Sequence, residues 1–102
     1  MDAALTAVAA PRRQQILQLI WDRELSAGEI AAQVPVSFAA VSQHLGKLRD
    51  AGLVSVRKEG RYRYYRASKR DFGSLRVYLE SMWKDRLLDL KRMAEELERS
   101  QS

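Results

Sequence analysis

The chain has 102 residues, enough for one domain with a modest core. It contains no cysteine, which excludes disulfides, thiolate metal sites and cysteine nucleophiles. Its 18 basic and 13 acidic residues give a net charge of +5. No stretch has the length and apolar character of a signal peptide or a membrane span, so a cytoplasmic protein without membrane contact is expected.

The first third of the chain predicts three helices. Residues 2–10 are rich in alanine and predict a short helix, and a second helix is expected from Pro11 to about Arg23. Ser26 and Glu29 have the spacing of a capping box, in which each residue satisfies a free N–H group of the other, so a third helix is expected to begin there.

A fourth helix is expected over residues 38–50, with Ser37 as its cap. Val41, Leu45 and Leu48 are spaced i, i+4, i+7 and form an apolar stripe, with Phe38 alongside. The turn between the third and fourth helices has about four residues, which is typical of a helix-turn-helix.

A basic hairpin follows. Gly52 is expected to end the fourth helix, Leu53 to begin a strand, and Glu59 with Gly60 to form the turn to a return strand rich in tyrosine. Residues 47–70 hold nine basic and two acidic residues, a net of +7, so the whole excess charge lies in this block. Such a patch attracts polyanions. The alternative is a solvated hairpin without a binding role.

From Lys69 onward the pattern is helical for roughly 30 residues, or about 45 Å. Apolar residues recur with the 3-4-3 spacing of a helix–helix seam near the end. The helix is longer than this small domain can cover, which indicates a dimerisation element. The alternative is one core helix with a frayed tail.

Two motifs together resemble the ArsR/SmtB-type winged helix-turn-helix regulators. Residues 41–54, VSQHLGKLRDAGLV, look like the recognition helix and its exit in that family, and residues 60–66, GRYRYYR, look like its wing. The opening of the second helix, residues 11–17, is also similar, and the likeness spans roughly residues 5–100.

The resemblance implies a mainly α fold with a small β-hairpin wing and a long C-terminal dimerisation helix. Residues 1–102 are expected to form a single domain, with the helix-turn-helix at about 25–51, the wing at about 53–67, and dimerisation by about 2–10 and 69–98. It further implies a homodimer that binds double-stranded DNA at an inverted-repeat operator near its own promoter.

Many members of the family are repressors that a metal releases, but this chain departs from their patterns. Residues 35–38, at the start of the recognition helix, carry no cysteine, and the last helix carries no histidine. One histidine cannot build a zinc site of the usual kind. The chain therefore resembles the branch without metal ligands, and no metal or other cofactor is expected.

The exposed face of the recognition helix and the wing supply the expected DNA contacts. Gln43 is the best candidate base reader, because its amide can pair with adenine. His44 is open to two interpretations, a DNA donor or an imidazole at the edge of the core. In the wing, Arg61 and Arg63 are expected on one face, with Arg57 and Lys58 in support. The remaining candidates on the helix are Ser37, Ala39, Ala40, Ser42 and Lys47.

Apolar residues of the first and last helices are the candidates for the dimer interface: Leu5, Val8, Leu75, Tyr78, Leu79, Met82, Trp83, Leu87, Leu90 and Leu97. Trp21 with Tyr78, Met82 and Trp83 could instead form an aromatic effector pocket, although core and dimer packing is the favoured interpretation. Tyr62 and Tyr64 are expected to pack inward, the alternative being stacking on single-stranded bases.

The sequence thus predicts a dimeric, sequence-specific DNA-binding repressor that regulates its own gene and does not respond to metal. The alternative is a protein-interaction module of the same fold, whose long helix binds a partner and whose DNA binding is weak or nonspecific. No glycine-rich phosphate loop or acid–base pair indicates an enzyme. A sequence-blind DNA-coating protein is disfavoured by Gln43 among small residues.

Overall fold

The computed structural model describes residues 2–101 and is mainly helical, with one small antiparallel sheet. It divides into two compact units, residues 1–72 and residues 73–102. The elements of the first unit are α1 (Ala3–Val8), α2 (Pro11–Leu19), β1 (Leu25–Ser26), α3 (Ala27–Ala31), α4 (Phe38–Asp50), β2 (Val54–Glu59), β3 (Tyr62–Ala67) and a 3-10 helix (Lys69–Phe72). The second unit is one helix, α5 (Ser74–Gln101).

Helix α2 begins at Pro11 as predicted but ends at Leu19, about four residues before the predicted end. The reason lies in Ile20, whose carbonyl accepts a hydrogen bond from the N–H of Ala67 at 2.9 Å. In a longer helix that carbonyl would accept from residue 24 instead. The sheet therefore takes the chain out of the helix.

The helix-turn-helix consists of α3 and α4. Both bonds of the predicted capping box are present, since the Ser26 hydroxyl accepts from the N–H of Glu29 and the Glu29 carboxylate accepts from the N–H of Ser26. In α4 the predicted stripe of Val41, Leu45 and Leu48 is fully buried. These contacts fix α4 on the core and leave its opposite face exposed.

Gly52 ends α4 as predicted, with a φ of +76° that favours glycine. The N–H of Gly52 bonds to the carbonyl of Arg49 and the N–H of Leu53 to that of Leu48, both at 2.9 Å. This pair of bonds is the Schellman motif, which satisfies carbonyls at the helix end and turns the chain into β2.

The sheet has the order β1-β3-β2 and is antiparallel throughout. The short strand β1, which pairs Leu25 with Tyr65, was not predicted. The hairpin turn is Gly60-Arg61, closed by the pair Glu59–Tyr62, so the predicted turn was wrong by one residue. Gly60 has a φ of +61°, which the first central position of a type II′ turn requires.

The core of the first unit is formed by residues from every one of its elements. Trp21 is buried and packs edge-to-face on Phe72, with ring centroids 4.9 Å apart. This contact favours the packing interpretation of Trp21 over an open aromatic pocket. The other large buried side chains are Val8, Ile16, Leu17, Ile20, Leu25, Ile30, Val34, Val41, Leu45, Leu48, Leu53 and Val54.

Helix α5 has 28 residues, about 42 Å in length. It does not run on from Lys69 as predicted, because a 3-10 helix ends at Phe72 and Gly73, with a φ of +55°, separates the two. Its last 17 residues, 85–101, are all exposed. Across the described residues, no helix has the length and apolar character needed to cross a membrane.

Candidate nucleic-acid interface

The solvent-facing side of α4 is polar and narrow. Ser42, Gln43 and Lys47 are exposed together with Ala39, while Ala40 and Gly46 are half-buried. The small side chains at 39, 40 and 46 leave little bulk on this side of the helix. A surface of this kind can approach the edges of base pairs closely.

Ser37 caps α4, since its hydroxyl oxygen accepts from the N–H of Ala40 at 3.1 Å. Accepting this bond leaves the hydroxyl proton free to donate, for example to a phosphate oxygen. The two predicted roles of Ser37 are therefore chemically compatible.

His44 is half-buried, and its Nδ1 lies 3.4 Å from Nη1 of Arg13. Burial lowers the pKa of His44, and the nearby charges of Arg13, Lys47 and Arg12 lower it further. A neutral imidazole that faces an arginine fits the interpretation of a side chain at the core edge better than that of a phosphate contact.

Arg13 connects α1 to α4, a role that sequence reasoning missed. Its Nε donates to the carbonyl of Ala7 at 2.6 Å and its Nη2 to that of Thr6 at 3.4 Å, so it closes the end of α1. The same guanidinium reaches His44 on α4. Only the family-like Pro-Arg-Arg opening of α2 could have drawn attention to it.

The two faces of the hairpin carry different chemistry. Lys58 lies directly opposite Arg63 in the register, and strand alternation puts this pair on the face shared by Val54 and Ala67, which are buried. Arg61 lies in the turn, not on the strand face predicted for it. None of the ion pairs formed within residues 2–101 includes these three cations.

Arg57 lies on the opposite face and its charge is already engaged. It forms ion pairs with Glu24 and with Glu59, each at 2.8 Å, and its guanidinium stands 4.9 Å from the centre of the Tyr64 ring. These hydrogen bonds raise the pKa of Arg57, and the bond to Arg57 lowers the pKa of Glu24. The prediction that Arg57 supports a phosphate contact does not fit this geometry.

The prediction that Tyr62 and Tyr64 pack inward was wrong for Tyr62, which is 56% exposed. Tyr64 is half-buried beneath Arg57. Strand alternation puts both on the face of β3 opposite Tyr65 and Ala67, although Tyr62, at the start of the strand, also lines the groove described next.

An open groove of about 400 Å³ lies between the start of α4 and the wing. Its lining combines small, polar, basic and aromatic side chains: Ser26, Ala27, Gly28, Phe38, Ser42, Arg61, Tyr62, Arg63 and Tyr65. The groove brings together predicted contacts from both motifs, Ser42 from the helix and Arg61 with Arg63 from the wing.

Phe38 was predicted to lie beside the buried stripe, but it is 57% exposed and lines this groove. Its helical angle matches that of Val41 and Leu45, so periodicity alone puts it inward. It is, however, the first residue of α4, where the helix begins at the surface. Sequence reasoning therefore missed it as a candidate site residue.

The predicted dimer residues fall into three groups by exposure. Val8 is 4% and Leu79 1% exposed in the single chain, so neither offers surface to a second chain. Leu75, Met82 and Trp83 are half-buried. The exposed candidates are Leu5, Tyr78, Leu87, Leu90 and Leu97.

Metal ligands are not grouped in the described part of the chain. Nowhere in residues 2–101 do three His, Cys, Asp or Glu side chains come together in an arrangement that could hold a metal ion. The acidic residues of α5 are instead interspersed with basic ones, and those from Asp85 onward are exposed.

The helix-turn-helix, the hairpin beside it and the groove between them define a winged helix-turn-helix protein. The family model described as "Bacterial regulatory protein, arsR family" matches residues 10–56. The chain is 39% identical over 79 residues to the transcriptional activator HlyU of Vibrio cholerae serotype O1, covering 78% of this chain and 73% of that one. It is 32% identical over 65 residues to the transcriptional repressor SdpR of Bacillus subtilis strain 168, covering 64% and 72%.

A solved structure of HlyU from Vibrio cholerae N16961 superposes with a TM-score of 0.71 at 38% identity, covering 80% of this chain and 86% of that one. The chain belongs to the ArsR family of bacterial regulatory proteins. It is a DNA-binding transcriptional regulator and not an enzyme.

Proposed function

We propose that the protein is a homodimeric repressor that binds an inverted-repeat operator in double-stranded DNA through α4 and the wing. The observation that carries this proposal is the cluster of Lys58, Arg61 and Arg63, which have no ion-pair partner in the described chain. Arg61 and Arg63 lie across a groove from α4, and Lys58 is paired with Arg63 in the hairpin.

The pairing of Lys58 with Arg63 is unfavourable in the free protein, because like charges directly opposite each other on a sheet repel. A phosphate between or beside them removes this repulsion. By contrast, other cations of the same basic block have anionic partners within the fold: Arg57 has Glu24 and Glu59, and Lys69 has Asp22. The fold thus neutralises Arg57 and Lys69, whereas Lys58, Arg61 and Arg63 are left to bind an external anion.

In this proposal α4 lies in the major groove and the wing contacts the adjacent backbone. Gln43 pairs with adenine, while Ala39 and Ala40 allow close approach and touch thymine methyl groups. Ser37, Ser42 and Lys47 contact phosphates, and so do Lys58, Arg61 and Arg63. His44 is not assigned a DNA contact in this proposal, because it lies at the edge of the core beside Arg13.

The homodimer is supported by the second half of α5. Leu87, Leu90, Met93, Ala94 and Leu97 lie within an arc of roughly 120° at about 100° per residue, and all five are exposed. A stripe of this kind needs an apolar partner, and a second copy of the helix supplies one of matching length and spacing. Two copies would set their recognition helices about 34 Å apart, one turn of DNA.

Repression then follows from occupancy, because a dimer that covers a promoter excludes polymerase. The proposal also includes regulation of the protein's own gene, a cytoplasmic location, a single-domain organisation and the absence of a metal response. The second candidate, a protein-interaction module, rests on the same exposed stripe of α5 but leaves the unpaired cations of the wing without a role.

The proposal is tested by selecting genomic fragments with the purified protein at physiological salt and sequencing what is retained. An inverted repeat with half-sites about 10 base pairs apart is expected. Gln43→Ala should weaken binding to that sequence and leave binding to random DNA nearly intact, whereas Arg61→Ala should weaken both. Retention of no common sequence, or equal losses for both variants on every DNA, would overturn the proposal.

A further inference from the structure

We infer that Phe38 is a specificity-determining residue that reads thymine methyl groups in the operator. The inference rests on the proposed function and deepens it, because it names a base feature and the side chain that detects it. Phe38 is not among the polar and small residues that the motif itself indicates.

Phe38 lies at the N-terminal end of the recognition helix. It is the first residue of α4, directly after the Ser37 cap and one turn before Ser42. Residues at this end of a recognition helix are the ones that contact base edges. Phe38 and Ser42 line the same groove, so the aromatic ring lies on the side of α4 that faces the wing.

The side chain of Phe38 is largely exposed although it is aromatic. An aromatic side chain that is 57% exposed leaves apolar surface in water, which is unfavourable in the free protein. The neighbouring exposed residue on the first turn, Ala39, is small. Phe38 is therefore the large apolar group that the first turn of α4 presents to solvent.

The groove combines the ring of Phe38 with two basic side chains. Arg61 and Arg63 line it and have no ion-pair partner within residues 2–101. An occupant that suits this lining must bring an apolar group to Phe38 and a negative charge to the arginines. A thymidine nucleotide in a DNA strand carries both, as the 5-methyl group is the apolar feature of the major-groove edge and the phosphate lies on the backbone.

The test removes single methyl groups from the DNA. The operator retained in the selection is synthesised with one thymine at a time replaced by deoxyuridine, which keeps the Watson–Crick pairing and takes away only the methyl. For the wild-type protein, at least one position in each half-site should lose affinity by about fourfold, equivalent to about 0.8 kcal/mol for one buried carbon group.

Variants of Phe38 then identify the side chain. Phe38→Ala should bind the unmodified operator less tightly and lose the response to deoxyuridine at that position, while Phe38→Leu should retain part of it. Thymines elsewhere in the site should respond alike in all three proteins. Thermal unfolding checks that both variants fold, and the wild-type series alone still tests the methyl contact if one of them does not.

The outcomes separate this inference from the function on which it rests. If no sequence is retained in the selection, the proposed function fails. If an operator is retained but no thymine methyl matters to the wild type, or if Phe38→Ala responds to deoxyuridine as the wild type does, the inference about Phe38 fails. The proposal of a repressor that binds an inverted-repeat operator stands in either case.

Discussion

The repulsion between Lys58 and Arg63 gives a prediction about stability that follows from the sheet register alone. Replacing Lys58 with glutamate turns a like-charged cross-strand pair into an oppositely charged one. The free protein should become more stable, although the substitution adds no apolar contact. DNA binding should weaken at the same time, because the wing loses a cation.

The magnitude follows from measured cross-strand pairs, which contribute roughly 0.2–1 kcal/mol each, with like charges unfavourable. Changing repulsion into attraction should therefore stabilise the protein by about 1 kcal/mol at low salt. For a protein of this size, 1 kcal/mol corresponds to a rise of roughly 4–8 °C in the melting temperature. The gain should shrink as salt screens the exposed pair.

The assay is thermal unfolding followed by circular dichroism, at one protein concentration because a dimer's melting temperature depends on it. Lys58→Gln should give part of the gain. The matched control is the double variant Lys58→Glu with Arg63→Glu, in which the two opposed charges are alike again, and the gain should disappear. A melting temperature that is unchanged or lower in Lys58→Glu, or a gain that persists in the double variant, would refute the reasoning.

Two further predictions concern His44 and the exposed stripe of α5. Because its pKa is lowered in the fold, His44 favours the neutral form, so stability should be complete above about pH 6.5 and fall as the pH drops below it. His44 is the chain's one histidine, and in urea unfolding between about pH 5.5 and 7 the variant His44→Gln should lose this slope; equal slopes in both proteins would exclude the assigned environment. Leu90→Glu should convert the proposed dimer to a monomer in analytical ultracentrifugation, whereas Arg92→Gln, on the opposite side of the helix, should not. A Leu90→Glu protein that stays dimeric would place the interface elsewhere.

Local chemistry explains which parts of the fold the sequence predicted well. The Ser26–Glu29 capping box and the Ser37 cap act within three residues, and Gly52 meets a conformational requirement of its own backbone. The stripe of Val41, Leu45 and Leu48 is also local, since one helix carries it. Such features depend on neighbours in the chain and are therefore readable from it.

Two of the failed predictions have a different cause, which is contact between residues far apart in the chain. Helix α2 stops early because Ile20 bonds to Ala67, and Arg57 is neutralised by Glu24, 33 residues away. No local pattern carries either pairing. The prediction that Phe38 lies beside the buried stripe was wrong for another reason. Periodicity gives the direction of a side chain but not where the core ends.

The DNA-binding motif could thus be recognised from the sequence, but the division of labour within the basic block could not. Nine basic residues between 47 and 70 look alike in a charge count. Within residues 2–101 the structure separates them by ion-pair partner, since Arg57 has two and Lys69 one, whereas Lys58, Arg61 and Arg63 are among those with none. Assigning such electrostatic roles requires the register of the hairpin, which the charge count does not give.

The measurement that tests the central claim most directly is the salt dependence of DNA affinity for wing variants. For each phosphate contact removed, the slope of log K against log [salt] should become shallower by about 0.9. Arg61→Gln and Arg63→Gln should each show this decrease, twice over if both protomers of a dimer bind. Arg92→Gln, which removes the same charge from α5, should keep the wild-type slope. Equal slopes for the wing variants and the wild type would contradict the account.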